Sequence, residues 1–114
     1  MRISDLIGET TDYDKKRELE EKKPKSWCKS VSAFANGTGG SLIFGVADDD
    51  TIVGIAEPKK VSETISEQIK THLDPVPQFS LRFVTEEGKT LVVLDVQPGE
   101  ETPYYVNIGS VLET

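Results

Sequence analysis

The stretch Ala33-Phe34-Ala35-Asn36-Gly37-Thr38-Gly39-Gly40-Ser41-Leu42-Ile43-Phe44-Gly45-Val46-Ala47-Asp48-Asp49-Asp50-Thr51-Ile52-Val53-Gly54 decides how this chain folds. Its first residues end an apolar helix. Asn36-Gly37 reads as the helix stop, because a glycine just past the last turn takes the left-handed conformation at little cost. Gly39-Gly40 lets the chain reverse into Ser41 to Val46, whose β-branched and aromatic content suits a central strand. Gly45 inside that strand predicts a close approach by another backbone or a ligand. Asp48-Asp49-Asp50 supplies a turn, and Ile52 to Ile55 returns as the second arm of a hairpin.

The order of these elements argues against a nucleotide loop. Backbone amides in a glycine turn cradle phosphate when a strand precedes them and Lys-Ser/Thr and a helix come after. Here the helix comes first, a strand comes second, and the next lysine after Gly40 is Lys59. No ATP site and no other cofactor are expected.

Working outward, Ile3 to Ile7 predicts a short turn of helix and Thr10 to Lys16 a short strand. Pro24 or Ser26 opens the helix that ends at Asn36, with Trp27, Val31, Phe34 and Ala35 on one face as core anchors. Pro58 opens a second helix, in which Val61, Ile65, Ile69 and Leu73 recur every four residues, and Asp74-Pro75-Val76-Pro77 stops it. His72 near its end complements the helix dipole. Gln78 to Val84 and Thr90 to Gln97 alternate as a half-buried antiparallel pair joined through Glu86-Glu87-Gly88-Lys89. Pro98 to Pro103 is a loop, and Tyr104 to Ile108 a last strand, with its two tyrosines on opposite sides. The expectation is a single α+β domain over residues 1–114, with a mixed or antiparallel sheet of about five or six strands packed with two main helices.

At 114 residues and 36% hydrophobic content the chain can bury one modest core, and no apolar run is long enough to span a bilayer. Met1 to Gly8 lacks the apolar stretch of a signal peptide. The single cysteine, Cys28, has no internal partner and reads as a buried thiol, which makes a reducing cytoplasm the expected setting. The net charge of −7 counts against a nucleic-acid partner, yet residues 15–30 hold seven basic residues against three acidic ones, a local balance of +4. That stripe is compatible with an anion-binding face and equally with a solvated loop beside a helix.

The segment Ser32 to Val46, together with Asp48 and Ile52-Val53-Gly54 after it, resembles the signature of the Schlafen-type Alba-like domain. The resemblance runs from about Ile7 to the C-terminus and takes in Glu9, Asp14 and Lys16, which match an upstream acidic-acidic-Lys pattern. It implies a DNA-binding module, commonly the N-terminal part of bacterial transcriptional-regulator-like proteins. On that basis Lys15, Lys16, Arg17, Lys22, Lys23 and Lys25 are expected to contact phosphates, with the turn Gly37, Thr38, Gly39 and Gly40 presenting amides to the same surface. Binding would be largely independent of sequence and steeply salt-dependent.

The resemblance also implies a nuclease alternative, in which Glu9, Asp14 and Asp48 bind a divalent metal that activates water beside a phosphodiester. Glu9 and Asp14 face opposite sides of a regular strand, so their convergence needs a bend, and Asp48 to Asp50 are explained as turn residues. A third alternative, favoured by the acidic total charge, is a protein-interaction module or homodimer. One departure stands out: Asn107 occupies the place of an arginine that the family carries near its end, which removes a planar phosphate donor. The stop at Thr114 suggests a fragment or the N-terminal domain of a longer protein.

Overall fold

The computed structural model describes residues 12–108 and 111–113. The elements are β1 (Tyr13–Lys16), α1 (Lys25–Asn36), β2 (Gly40–Phe44), α2 (Pro58–His72), β3 (Leu73–Asp74), β4 (Phe79–Glu86), β5 (Lys89–Val96), β6 (Tyr105–Ile108) and β7 (Val111–Glu113). The fold class is α+β, as expected, but the strands divide between two sheets. One is four-stranded in the order β1-β2-β5-β4, and the other joins β3, β6 and β7. The expected helical turn at Ile3 to Ile7 and the start of the strand from Thr10 lie outside the described residues.

β1 and β2 pair in parallel, with Tyr13 beside Ser41 and Lys16 beside Phe44. A parallel pair needs a crossover, and α1 supplies it. The helix buries Trp27, Cys28, Val31 and Ala35. Leu42 and Phe44 of β2, Val92, Leu94 and Val96 of β5, and Ile65 and Ile69 of α2 complete this main core. Trp27 stands edge-on to Phe44, ring centroids 6.0 Å apart. The other face of β2 and β5 forms a smaller core of Ile43, Val46, Ile52, Leu91 and Val93.

Burial on both faces corrects one expectation. Leu91 to Leu94 are all fully buried, so β5 is a central strand and only β4, at the edge, keeps the alternation of a half-buried one. The β4–β5 turn is tighter than expected, with Glu86 paired to Lys89. Glu87 and Gly88 both have positive φ, 52° and 72°, as the two-residue hairpin turn matched to strand twist requires.

The opening stretch folds differently in two details. Gly37 is not left-handed; its φ is −109°, and the positive φ falls on Gly39, at 85°. The amides of Gly37 and Gly39 both donate to the Phe34 carbonyl, which closes the helix without a left-handed residue at its cap. The expected hairpin arm at Ile52 to Ile55 is reduced to one bridge, Val46 to Ile52. Past it the Gly45 carbonyl accepts from the amides of Val53 and Gly54, and Ile55 turns to the Thr90 carbonyl. A Cβ on Gly45 would lie 3.3 Å from the Gly54 backbone, so the close approach expected at Gly45 is made by this chain's own backbone.

Candidate functional site

The parallel register places the two halves of the expected site at opposite ends of β2. The basic run leaves β1 beside Phe44, whereas the glycine turn enters β2 at Gly40. Gly39 and Gly45 are thus separated by a strand length of roughly 20 Å at ~3.3 Å per residue. The expectation that both act on one surface is corrected by this pairing. The turn is also poorly equipped for an anion. Amides of Gly37 and Gly39 are committed to Phe34, and that of Ser41 to the Asp12 carbonyl. A depression of about 490 Å3 beside Thr38, Gly39 and Gly40 is lined by Asp12 and Asp95 as well. Asp95 accepts from Ser41 Oγ at 2.6 Å and from Arg82 Nε at 2.8 Å.

At the other end, Lys15 and Lys16 take different roles from their neighbours in the loop. The Lys15 ammonium donates to the Asp48 carbonyl at 2.9 Å and to Asp50 Oδ1, clasping the acidic turn. The Asp50 hydrogen bond is the main reason that the Lys15 pKa lies above its ordinary value. Asp49 accepts from the Thr51 amide at 3.0 Å, and hydrogen bonding to Thr51 holds its carboxyl below the usual range. Lys16 Nζ lies 3.8 Å from Asp14 Oδ2. Arg17 is exposed and lines a shallow depression with Asp48 and Asp49.

Lys22 and Lys23 are exposed on the loop between β1 and α1, and Lys25 opens the helix. Two residues that sequence reasoning passes over hold this loop. Leu19 packs against the main core, and Gln68 of α2 donates to the Glu21 carbonyl at 2.9 Å. Leu19 carries a visible signal, a lone apolar residue inside a charged run; Gln68 on the polar side of α2 carries none.

The acidic residues expected for a metal do not converge among the described residues. Asp14 accepts from its neighbour Lys15's amide and from Ser30 Oγ of α1, so it faces the helix layer. Lys15, next in the strand, reaches the Asp48–Asp50 turn on the other side. Glu9 lies outside the described residues. No group of three or more metal-ligating side chains is found among those described, and none of their helices is long and apolar enough to cross a membrane.

The remaining conspicuous residues are structural. Asn36 clamps Tyr104, taking the Tyr104 amide on Oδ1 at 2.6 Å and giving Nδ2 to its carbonyl at 3.0 Å. Ser32 Oγ donates to the same carbonyl at 2.8 Å. Tyr104 is buried and precedes β6, while Tyr105 is half-buried. Cys28 is buried, and desolvation pushes its thiol up to about 12. His72 Nδ1 lies 3.1 Å from the Asn107 carbonyl, a contact that fixes the proton on Nδ1.

Comparison with known proteins bears on this arrangement. The family model described as Schlafen, AlbA_2 matches residues 9–112. Among solved structures, the N-terminal domain of a RecG-related protein from Nitrosomonas europaea superposes with a TM-score of 0.69 at 24% identity, covering 97% of this chain and 80% of that one. The DIP2311 protein from Corynebacterium diphtheriae superposes with a TM-score of 0.56 at 17% identity, over 91% of this chain and 21% of that one. At these identities the likeness is one of fold. No curated protein sequence matches.

Proposed function

Because the chain belongs to the Schlafen, AlbA_2 family, we propose that it is a nucleic-acid-binding module whose phosphate contacts come from the loop between β1 and α1. The observation that carries this reading is the exposure of Arg17, Lys22 and Lys23 on one loop, which they share with Glu18, Glu20 and Glu21, in a chain whose net charge is −7. That loop is fastened by Leu19 and by Gln68, so the charges are offered from a defined surface rather than a free tail. Lys16 and Lys25 flank it. Lys15 contributes by fixing the neighbouring acidic turn, and the glycine turn contributes to the fold.

Phosphate contact of this kind is independent of base sequence and weakens steeply with salt. DNA is the preferred ligand in this proposal, supported by the name of the RecG-related neighbour, which refers to an ATP-dependent DNA helicase. The family resemblance supports the setting, the N-terminal module of a cytoplasmic transcriptional-regulator-like protein.

The test is fluorescence anisotropy with labelled duplex DNA, single-stranded DNA and RNA across a salt series. Each lost phosphate contact on duplex DNA lowers the slope of log K against log salt by ~0.9. The combined variant Arg17→Ala, Lys22→Ala, Lys23→Ala is therefore expected to bind more weakly, with its slope reduced by about 2 to 3. Absence of binding by the natural chain at low ionic strength, or an unchanged slope in the variant, overturns the proposal.

A further inference from the structure

β4 is an open edge of the four-stranded sheet among the described residues, and its outward backbone groups can be assigned. Gln97 donates its amide to the Gln78 carbonyl, which makes that pair a hydrogen-bonded one. Alternation along the ladder then directs the amides and carbonyls of Ser80, Arg82, Val84 and Glu86 at β5, and turns those of Phe79, Leu81, Phe83 and Thr85 away from it. The eight residues of β4 contain no proline and no lysine, the usual guards of an exposed edge. Phe83 shares the helix side of the sheet with Val92, its neighbour in register, yet it is 52% exposed.

We propose that β4 pairs antiparallel with β4 of a second copy of this chain about a two-fold axis through Val84. The strand is self-complementary in that register. Arg82, whose Nε also holds Asp95 of its own chain, and Glu86 lie on one face four residues apart, so the axis sets Arg82 of each copy opposite Glu86 of the other, and Val84 opposite itself. Phe83 and Thr85, whose backbone groups point outward, exchange both hydrogen bonds across the axis. The two Phe83 rings become diagonal neighbours on the helix side, within reach of each other. Shifting the axis to Arg82 sets like charges face to face, which disfavours that register. The product is a continuous eight-stranded sheet, with the β1–α1 loops far from the seam.

Two measurements test it. Light scattering on the natural chain is expected to give twice the chain mass, and the dimer persists through a salt series. The backbone hydrogen bonds and the Phe83 contact across the seam are not screened, while salt weakens both the Arg82–Glu86 pairs and the repulsion of the −7 charges. Nucleic-acid binding weakens under the same salt, so the two ideas fail separately. Phe83→Lys, at an exposed position, and Glu86→Lys, which places lysine opposite the partner's Arg82, are each expected to give monomers with unchanged circular dichroism. Val84→Cys checks the register. Residues facing each other at a non-hydrogen-bonded pair have Cα atoms ~4.5 Å apart, within disulfide range, so mild oxidation is expected to trap a covalent dimer. Ser80→Cys, on the same face but far from its mate, is expected to stay uncrosslinked, and Cys28 is too buried to compete. A natural chain that stays monomeric at every concentration, a dimer that survives both lysine variants, or crosslinking at position 80 as fast as at 84 overturns the proposal.

Discussion

Asn36→Ala tests whether the motif residue at the end of α1 is a tertiary clamp. In the folded chain Asn36 accepts from the Tyr104 amide and donates to the Tyr104 carbonyl. Alanine removes both bonds, at ~1 kcal/mol each. The carbonyl keeps Ser32 Oγ as a donor, but the Tyr104 amide loses its partner beside a side chain only 4% exposed. That orphan adds about 1 kcal/mol or more, and the better helix propensity of alanine returns roughly 0.5 kcal/mol. The net loss is about 2.5 kcal/mol. Urea unfolding monitored by far-UV circular dichroism measures it as a lower midpoint at constant m. Ser32→Ala alone is expected to cost about 1 kcal/mol, and the double variant more than the sum, because only then does the carbonyl lose both donors. A loss under ~0.5 kcal/mol for Asn36→Ala, or strict additivity with Ser32→Ala, refutes the clamp.

Two further predictions concern the core. Gly39→Ala is expected to cost about 2 kcal/mol or more. The site combines a φ of 85° with a Cβ position 2.8 Å from the Val96 carbonyl, and a drop in Tm by differential scanning calorimetry reads the loss. The Cys28 thiol is pushed up to about 12 in the fold, from an ordinary 9.0. The unfolded chain therefore releases this proton first, and stability is full below pH 9 and falls by ~1.4 kcal/mol per pH unit between 9 and 12. Cys28→Ala is expected to remove that portion of the alkaline slope in unfolding curves, and an identical slope in the variant counts against the buried neutral thiol.

Legibility depends on the range of the interaction. α2 is readable because Pro58 and the spacing of Val61, Ile65 and Ile69 are local signals, and Ile65 and Ile69 are indeed buried. The hairpin between β4 and β5 is readable from its turn residues. Gly37 misleads because a helix can end through amides converging on Phe34 as well as through a left-handed residue, and the residues after the glycine select between the two. β5 carries a local mark of its burial, since Leu91-Val92-Val93-Leu94 is the continuous apolar run of a strand covered on both faces, but what covers it, β2 alongside and Val46 and Ile52 over one face, is remote in sequence.

The candidate site shows the same division. The basic residues, the lone cysteine and the family motif are visible in the chain itself, and local propensity together with hydrophobic spacing determined two helices, their order and the α+β class. Where those residues meet was decided only in three dimensions. Parallel pairing of β1 with β2 carries the basic loop to one end of the sheet and leaves the glycine turn at the other, although the two are close in sequence. Likewise Asn36 meets Tyr104, and Lys15 meets Asp50, across several intervening elements. Such contacts form where sheet register and core packing bring remote segments together, and neither leaves a periodicity in the sequence to read.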